Sequence, residues 1–255
     1  MLKYSKQNAK TASLADVQAI LPYLEGGRKI YSLDLLSGWS CPFAEQCLSK
    51  VHMIDGKRSL KDGPKTKFRC FSASQEVAYT NTYNARKHNY DLLKNLTSAH
   101  FMYEALNWAM PNNLGVCRIH VAGDFFSQTY FDAWMMMAEI HTDRLFYAYT
   151  KSLKFWLARR KELRKLPNFV LTASYGGRLD SEIKRRRLRS ATVVFSEAEA
   201  KSAGLEIDHD DSHASDPSKR NENFALLLHG VQPKGSDAAV ALKELKGKGS
   251  YGRTK

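Results

Sequence analysis

The chain has 255 residues, 43% of them hydrophobic, and a formal net charge of +13. That length buries a full core and suits one α/β domain, while the ordinary apolar content excludes disorder of the whole chain. No window reaches the ~18 apolar residues of a membrane span, and the polar, basic start at residues 1–10 has no apolar core of an export signal, so no membrane association and a reducing cytoplasm are expected.

In chain order, residues 1–28 read as an N-terminal extension. Six apolar runs of strand length then follow, at 30–36, 117–122, 145–149, 169–173, 191–195 and 224–229. They are continuous and rich in β-branched or aromatic residues, as strands buried on both faces are. Helical patterns fill the gaps. Ser72 with Gln75 resembles a capping box opening a helix toward Leu96. Thr97 or Ser98 caps the next, which stops at Pro111. Ser127 caps a helix over 130–141, and Ser152 opens one running to Lys165. Ser181 starts a basic helix and Ser196 a short one ending at Gly204. Strands alternating with helical crossovers imply a parallel sheet, either open and doubly wound or a partial (β/α) barrel of about six strands. Residues 1–242 form this single domain. The Gly- and Lys-rich tail at 243–255 is expected to fray.

An α/β protein places its chemistry in the loops after its strands. Here those loops supply Ser37-Gly38-Trp39-Ser40-Cys41, Gly123-Asp124, Thr150-Lys151-Ser152, Ser174-Tyr175-Gly176-Gly177-Arg178 and Ser196-Glu197. Asp124, Thr150, Lys151, Ser174, Tyr175 and Glu197 are the candidate pocket and catalytic residues. Cys41 and Cys47 form a loose pair after the first strand, and Cys70 stands at a helix start beyond the Gly63-Pro64 turn. Structural zinc sites more often show two close pairs. Three thiolates at one face suit an iron–sulfur cluster, [4Fe–4S], whose remaining iron is open or held by a non-cysteine ligand. Zinc is the alternative. Cys117, in the second strand, is expected to be a buried bystander.

The charge excess is local. Residues 151–190 hold 13 Lys/Arg against 3 Asp/Glu, and residues 197–216 hold 7 Asp/Glu against one Lys. Such asymmetry speaks to partners and points to nucleic acid. Lys151, Arg178, Arg185, Arg186 and Arg187 are the candidate phosphate contacts. Tyr79, Tyr83, Arg86 and Tyr90 share one helix face and could stack on the bases of RNA or single-stranded DNA. Asp208, His209, Asp211 and His213 could bind a divalent metal, or form a solvated loop that pairs with the basic helix.

The stretches Ser37-Gly38-Trp39-Ser40-Cys41-Pro42, Phe68-Arg69-Cys70, Arg118-Ile119-His120-Val121-Ala122-Gly123-Asp124-Phe125-Phe126-Ser127, Phe146-Tyr147-Ala148-Tyr149-Thr150-Lys151-Ser152-Leu153, Leu171-Thr172-Ala173-Ser174-Tyr175-Gly176-Gly177-Arg178 and Asp208-His209-Asp210-Asp211-Ser212-His213-Ala214 closely resemble the bacteriophage "gene product 88" family. The resemblance implies a phage protein made in an infected bacterium, acting in its cytoplasm with host or phage proteins, or carried in the virion. It places Cys41, Cys47 and Cys70 among the shared positions and Cys117 outside them. A looser similarity is to the radical S-adenosylmethionine enzymes, which have a partial barrel, a three-cysteine loop after the first strand and a glycine–acid motif after the second. That similarity implies a radical-SAM-like fold, binding of S-adenosylmethionine at the open iron and, if the chain is an enzyme, related chemistry. Here the tight cysteine loop is replaced by a CX5C pair with a distant Cys70, and the Gly-Gly-Glu motif by Gly123-Asp124.

Overall fold

A computed structural model describes residues 1–7 and 9–245. The chain opens with β1 (Tyr4–Lys6), α1 (Ala9–Ala12) and α2 (Leu21–Leu24), then enters β2 (Lys29–Leu33). A hairpin follows, β3 (Ser49–Ile54) and β4 (Lys57–Asp62), and then three helices, α3 (Phe71–Ala78), α4 (Thr80–Lys94) and α5 (Ala99–Ala109). From β5 (Leu114–Ile119) the pattern alternates through α6 (Gln128–Ile140), β6 (Leu145–Thr150), α7 (Leu153–Ala158), α8 (Arg160–Leu163), β7 (Phe169–Ser174), α9 (Asp180–Arg186) and β8 (Ser190–Val194). The chain closes through α10 (Glu197–Ser202), β9 (Glu206–Ile207), α11 (Ser212–Ser215), β10 (Phe224–Leu227) and α12 (Asp237–Glu244).

Eight strands form one sheet in the order β1-β2-β5-β6-β7-β8-β10-β9. Only β1 is antiparallel to its neighbour. From β2 through β8 the spatial order follows the chain, and only the short β9 steps out past β10 before the chain returns, so the sheet lacks the central switch point of the doubly wound alternative. Among the described residues β1 and β9 are sheet edges that do not pair with each other, so the sheet is open.

Side-chain alternation gives the sheet two unlike faces. Tyr31, Leu33, Cys117, Ile119, Phe146, Ala148, Phe169 and Leu171 point to the helix side and pack with Leu106, Phe131, Trp134 and Met137 of α5 and α6. Fully burying side chains of this size stabilises by about 1.5–3 kcal/mol each. The other face is apolar where the strands begin, at Ile30, Val116, Leu145 and Val170, and is covered there by Leu14 and Ile20. It turns polar toward the strand ends, where Arg118 registers with Tyr147, and Tyr149 with Thr172. Within the N-terminal extension, β1 extends the sheet beside β2, and Leu14, Ile20 and Leu24 close the base of its inner face.

All six apolar runs become strands, but some boundaries differ. Cys70, not Ser72, is the N-cap of α3, and the helix expected to run to Leu96 breaks at Tyr79, whose extended backbone separates α3 from α4. The helix expected from Ser152 to Lys165 likewise divides into α7 and α8 around Arg159. The β3–β4 hairpin carries a sequence signal of its own. Asp55 and Gly56 both have positive φ, as a two-residue Asp-Gly hairpin turn requires. Residues 243 and 244 complete α12, and Leu245 packs in one apolar cluster with Ala238. The rest of the tail lies outside the described residues.

Candidate functional site

Three loops meet at the C-terminal ends of the strands. The first, after β2, carries Cys41 and Cys47. It is tied to the loop after β5 by Asp34, whose carboxylate accepts the Val121 N–H at 2.7 Å, and by the Leu35 N–H to the Ala122 carbonyl at 2.8 Å. It is tied to the loop after β7 by the N–H groups of Glu45 and Gln46, both bonded to the Gly176 carbonyl, and by the Arg178 N–H to the Phe43 carbonyl. Gly38 seats it on β3. A Cβ there would meet the Ser49 carbonyl oxygen at 2.3 Å, and the φ of +70° disfavours any other residue.

Cys70 arrives from a different segment. Its backbone N–H donates to Ser49 Oγ, and the adjacent Arg69 is clasped by Gln232, which accepts its N–H at 2.7 Å and donates to its carbonyl at 3.2 Å. Glu76 on α3 joins the two segments. It is fully buried, accepts from the N–H and hydroxyl of Ser37 at 3.0 and 2.7 Å, and pairs with Arg86 at 3.3 Å.

Cys41, Cys47 and Cys70 are free, half-buried thiols that line one cavity of about 170 Å³. Burial pushes the Cys41 thiol well up from its ordinary value, and the carboxylate of Asp124 and the other two thiols add to it. Burial and then Cys47 raise Cys70 to about 11. Backbone N–H groups act in the opposite sense, from Gly38 on Cys41 and from Ala73 and Ser72 on Cys70. Without a cation Cys41 and Cys70 are neutral, yet hydrogen-bond donors that favour thiolate are already aimed at both. That combination fits a thiolate-ligated metal centre. Among the described residues no group of three or more His, Cys, Asp or Glu is arranged to hold a single metal ion. Cys117 lies away from the cavity, fully buried on the helix face of β5.

The same cavity is lined by Arg118, His120, Asp124, Tyr149, Thr150, Lys151, Ser174 and His229. Asp124 is a buried hub. It accepts from Thr150 Oγ1 at 2.6 Å and from the N–H groups of Lys151 and Phe125 at 2.8 and 2.7 Å, while burial raises its carboxyl above the usual range. The Lys151 ammonium donates to Ser174 Oγ at 2.6 Å. Of the expected pocket residues, Tyr175 packs instead with Leu153 and Ile183, and Glu197 is exposed in the first turn of α10.

His120 was not among the expected residues. It is buried one position past β5, in the left-handed region at φ +71°, with Nε2 on the Tyr130 hydroxyl at 3.0 Å and Nδ1 without a partner. Burial pulls its imidazole down to about 3, so it is neutral at pH 7. The signal for it lay in a histidine directly before the Val121-Ala122-Gly123-Asp124 loop. Arg118 had a signal too, as a charge inside an otherwise apolar strand.

The remaining candidates are dispersed. Asp208, Asp211 and His213 are buried over the inner face of the sheet, which overturns the solvated loop that pairs with the basic helix. Asp211 instead pairs with Arg118 and accepts from the Tyr147 and Tyr149 hydroxyls at 3.1 and 3.2 Å. His213 Nε2 sits 3.1 Å from Glu206, and His209 is exposed. Tyr83 and Arg86 are buried, Tyr83 beside Leu36 and Val51, so they present no stacking face to solvent. Tyr90 is half-buried with its hydroxyl on the Trp39 carbonyl, and Tyr79 is exposed at the helix break. Arg178 is exposed beside the cysteine loop, and Arg185 and Arg186 are exposed on α9, both paired with Glu182. Lys151 faces the cavity, so these cations form no single surface.

An open, mostly parallel α/β sheet with a thiol-lined cavity at its strand ends defines the class. The chain belongs to the Gene product 88 family, whose model matches residues 2–245. A search of curated proteins and a search of solved structures each return no match. No helix among the described residues is long and apolar enough to cross a membrane.

Proposed function

We propose that the sheet is a partial (β/α) barrel and that Cys41, Cys47 and Cys70 hold a [4Fe–4S] cluster at its mouth, beside a pocket for a small molecule. One observation carries the reading: thiols from two separate segments line the same cavity as the polar ends of β5, β6 and β7. Strand order along the chain from β2 to β8, with the long helices α5 and α6 packed on one face, supports the barrel. A cluster spreads its thiolates over separate irons, so its ligands need not converge on one point as zinc ligands do. With three thiolates, one iron is left to a donor from the cavity.

Such a cluster, held by Cys41, Cys47 and Cys70, would supply electron-transfer chemistry to a molecule in the pocket. The protein's own groups set what that is. Lys151, held by Ser174, offers a cation to an anionic substituent. Asp124 fixes the loop that carries Lys151. Neutral His120 presents an uncommitted ring nitrogen. A radical-SAM-like enzyme is the corresponding catalytic reading, and a zinc-stabilised virion component is the alternative if the metal is zinc.

Anaerobic purification with iron, sulfide and zinc analysis tests the proposal. The expected result is a brown protein holding iron and sulfide, which is lost in Cys41→Ala, Cys47→Ala or Cys70→Ala and kept in Cys117→Ala. Stoichiometric zinc from iron-replete cells would replace the cluster by the zinc site. Because Gly123-Asp124 stands where the radical enzymes carry Gly-Gly-Glu, S-adenosylmethionine should be cleaved slowly or not at all. Efficient, Cys41-dependent release of 5′-deoxyadenosine would establish the enzyme reading.

A further inference from the structure

At the opposite end of the sheet, where β7 and β8 begin, lies a second concavity of about 180 Å³. Arg160, Arg164, Arg187, Arg189 and Arg220 line it, with no Asp or Glu among its lining residues. Among the described residues none of the five pairs with a carboxylate. Three are held by backbone carbonyls instead. Arg160 donates to Arg186 O at 3.0 Å, and Arg189 to the carbonyls of His213 and Ala214 at 2.9 and 2.8 Å. Arg220 donates to those of Pro167 and Phe169. Carbonyls orient a guanidinium but leave its charge in place.

Arg189 is the telling member. It is 5% exposed, and its Nε has no partner. Burial pulls its guanidinium down to about 10, with the like charge of Arg220 acting in the same sense and Asp208 and Asp216 opposing it. Collecting cations without an acid at a partly buried site costs free energy that an anion would return. The guanidinium fork matches phosphate oxygens two at a time. A concave groove lined by five cations suits the terminal dianion of a phosphate monoester better than the single, spread charges of passing diesters. Its remaining walls are apolar, with Trp156 at the border and Leu163, Phe169 and Leu171 beside it. An indole there can stack on a planar ring.

We infer that this groove binds a phosphate monoester carried on a nucleoside, as a free mononucleotide or as the 5′ end of a strand. The site is separate from the thiol cavity and stands whether or not the chain holds a cluster.

Calorimetry on the full chain at low salt tests it with four probes: a 5′-phosphorylated single strand, the same strand with a 5′-hydroxyl, adenosine 5′-monophosphate and adenosine. At least one phosphorylated probe should bind ten-fold or more tightly than its unphosphorylated counterpart. If only the strand shows the difference, the ligand is a strand end. If only the nucleotide does, it is a free nucleotide. Arg164 and Arg187 are exposed, so Arg164→Ala and Arg187→Ala should fold normally and each weaken the phosphorylated probe about ten-fold. Arg185→Ala, outside the groove, should change it less than two-fold. Equal binding within both pairs of probes would overturn the inference. So would a loss in Arg185→Ala as large as that in Arg187→Ala, since a diffuse basic surface would then explain the binding.

Discussion

The two ends of the sheet are built in opposite ways. At the thiol end, each buried acid is matched to donors from a different segment: Asp34 to the loop after β5, Asp124 to the loop after β6, Glu76 to the cysteine loop and to Arg86. At the arginine end, cations are tied to carbonyls and no acid lines the groove. The first arrangement cross-links loops and fixes positions. The second fixes positions and leaves charge over. Substitutions should therefore damage the fold more at the thiol end and ligand affinity more at the arginine end.

The largest effect should come from Glu76→Ala. It strands buried Arg86 and releases Ser37, and loss of one partner of a buried pair costs about 3–5 kcal/mol. Urea denaturation measures this, and a cost below about 1 kcal/mol would show that the cross-link is not structural. Asn168 is the nearest counterpart at the other end. Its amide donates to the carbonyls of Ala138, His141 and Arg144 at 2.9–3.0 Å, so Asn168→Ala should cost about 1–3 kcal/mol.

Acid separates the ends further. His120 is neutral in the fold with its imidazole pulled down to about 3, against 6.5 unfolded. As pH falls below 6.5 the unfolded chain takes up a proton that the fold refuses, so stability declines. By pH 5 the loss is about 2 kcal/mol. His213 works in the other direction. The Asp208 carboxylate, 3.8 Å from its Nδ1, and then Glu206 at its Nε2 raise its pKa, so its contribution is complete below pH 6.5 and is lost as pH rises through the folded value. Denaturation profiles should flatten on the acid side in His120→Gln and on the alkaline side in His213→Gln. Identical profiles for wild type and His120→Gln would contradict the buried, neutral ring. The smallest change belongs to Arg185→Ala. It breaks an exposed pair on α9 and should leave the melting temperature unchanged, because solvent screens such pairs.

The sequence made the sheet readable because its central strands are buried on both faces and so appear as continuous apolar runs. The thiol end was readable for a related reason: Cys41 and Cys47, Asp124, and Lys151 each follow such a run directly. The hairpin was harder. Lys57, Arg58, Lys61 and Asp62 make β4 look like a polar loop, although Asp55-Gly56 marks its turn. The break between α3 and α4 has no Gly or Pro to announce it. Tyr83 and Arg86 share a face with Tyr79 by helical spacing, but periodicity does not say which way that face points. The arginine groove was the least legible. Its cations come from α8 and the residue after it, from the turn before β8 and from the approach to β10, and only the topology brings them together.

The clasp of Gln232 on Arg69 also bears on timing. The backbone that presents the third thiol is held by a residue 163 positions later in the chain. During synthesis, Cys41, Cys47 and the Ser49 that contacts Cys70 emerge long before Gln232. A growing chain that has not yet reached Gln232 carries all three thiols but lacks that clasp. If the three thiols do take up a metal centre, a chain cut short before Gln232 should load it less well than the full chain, because its third thiol is held less firmly.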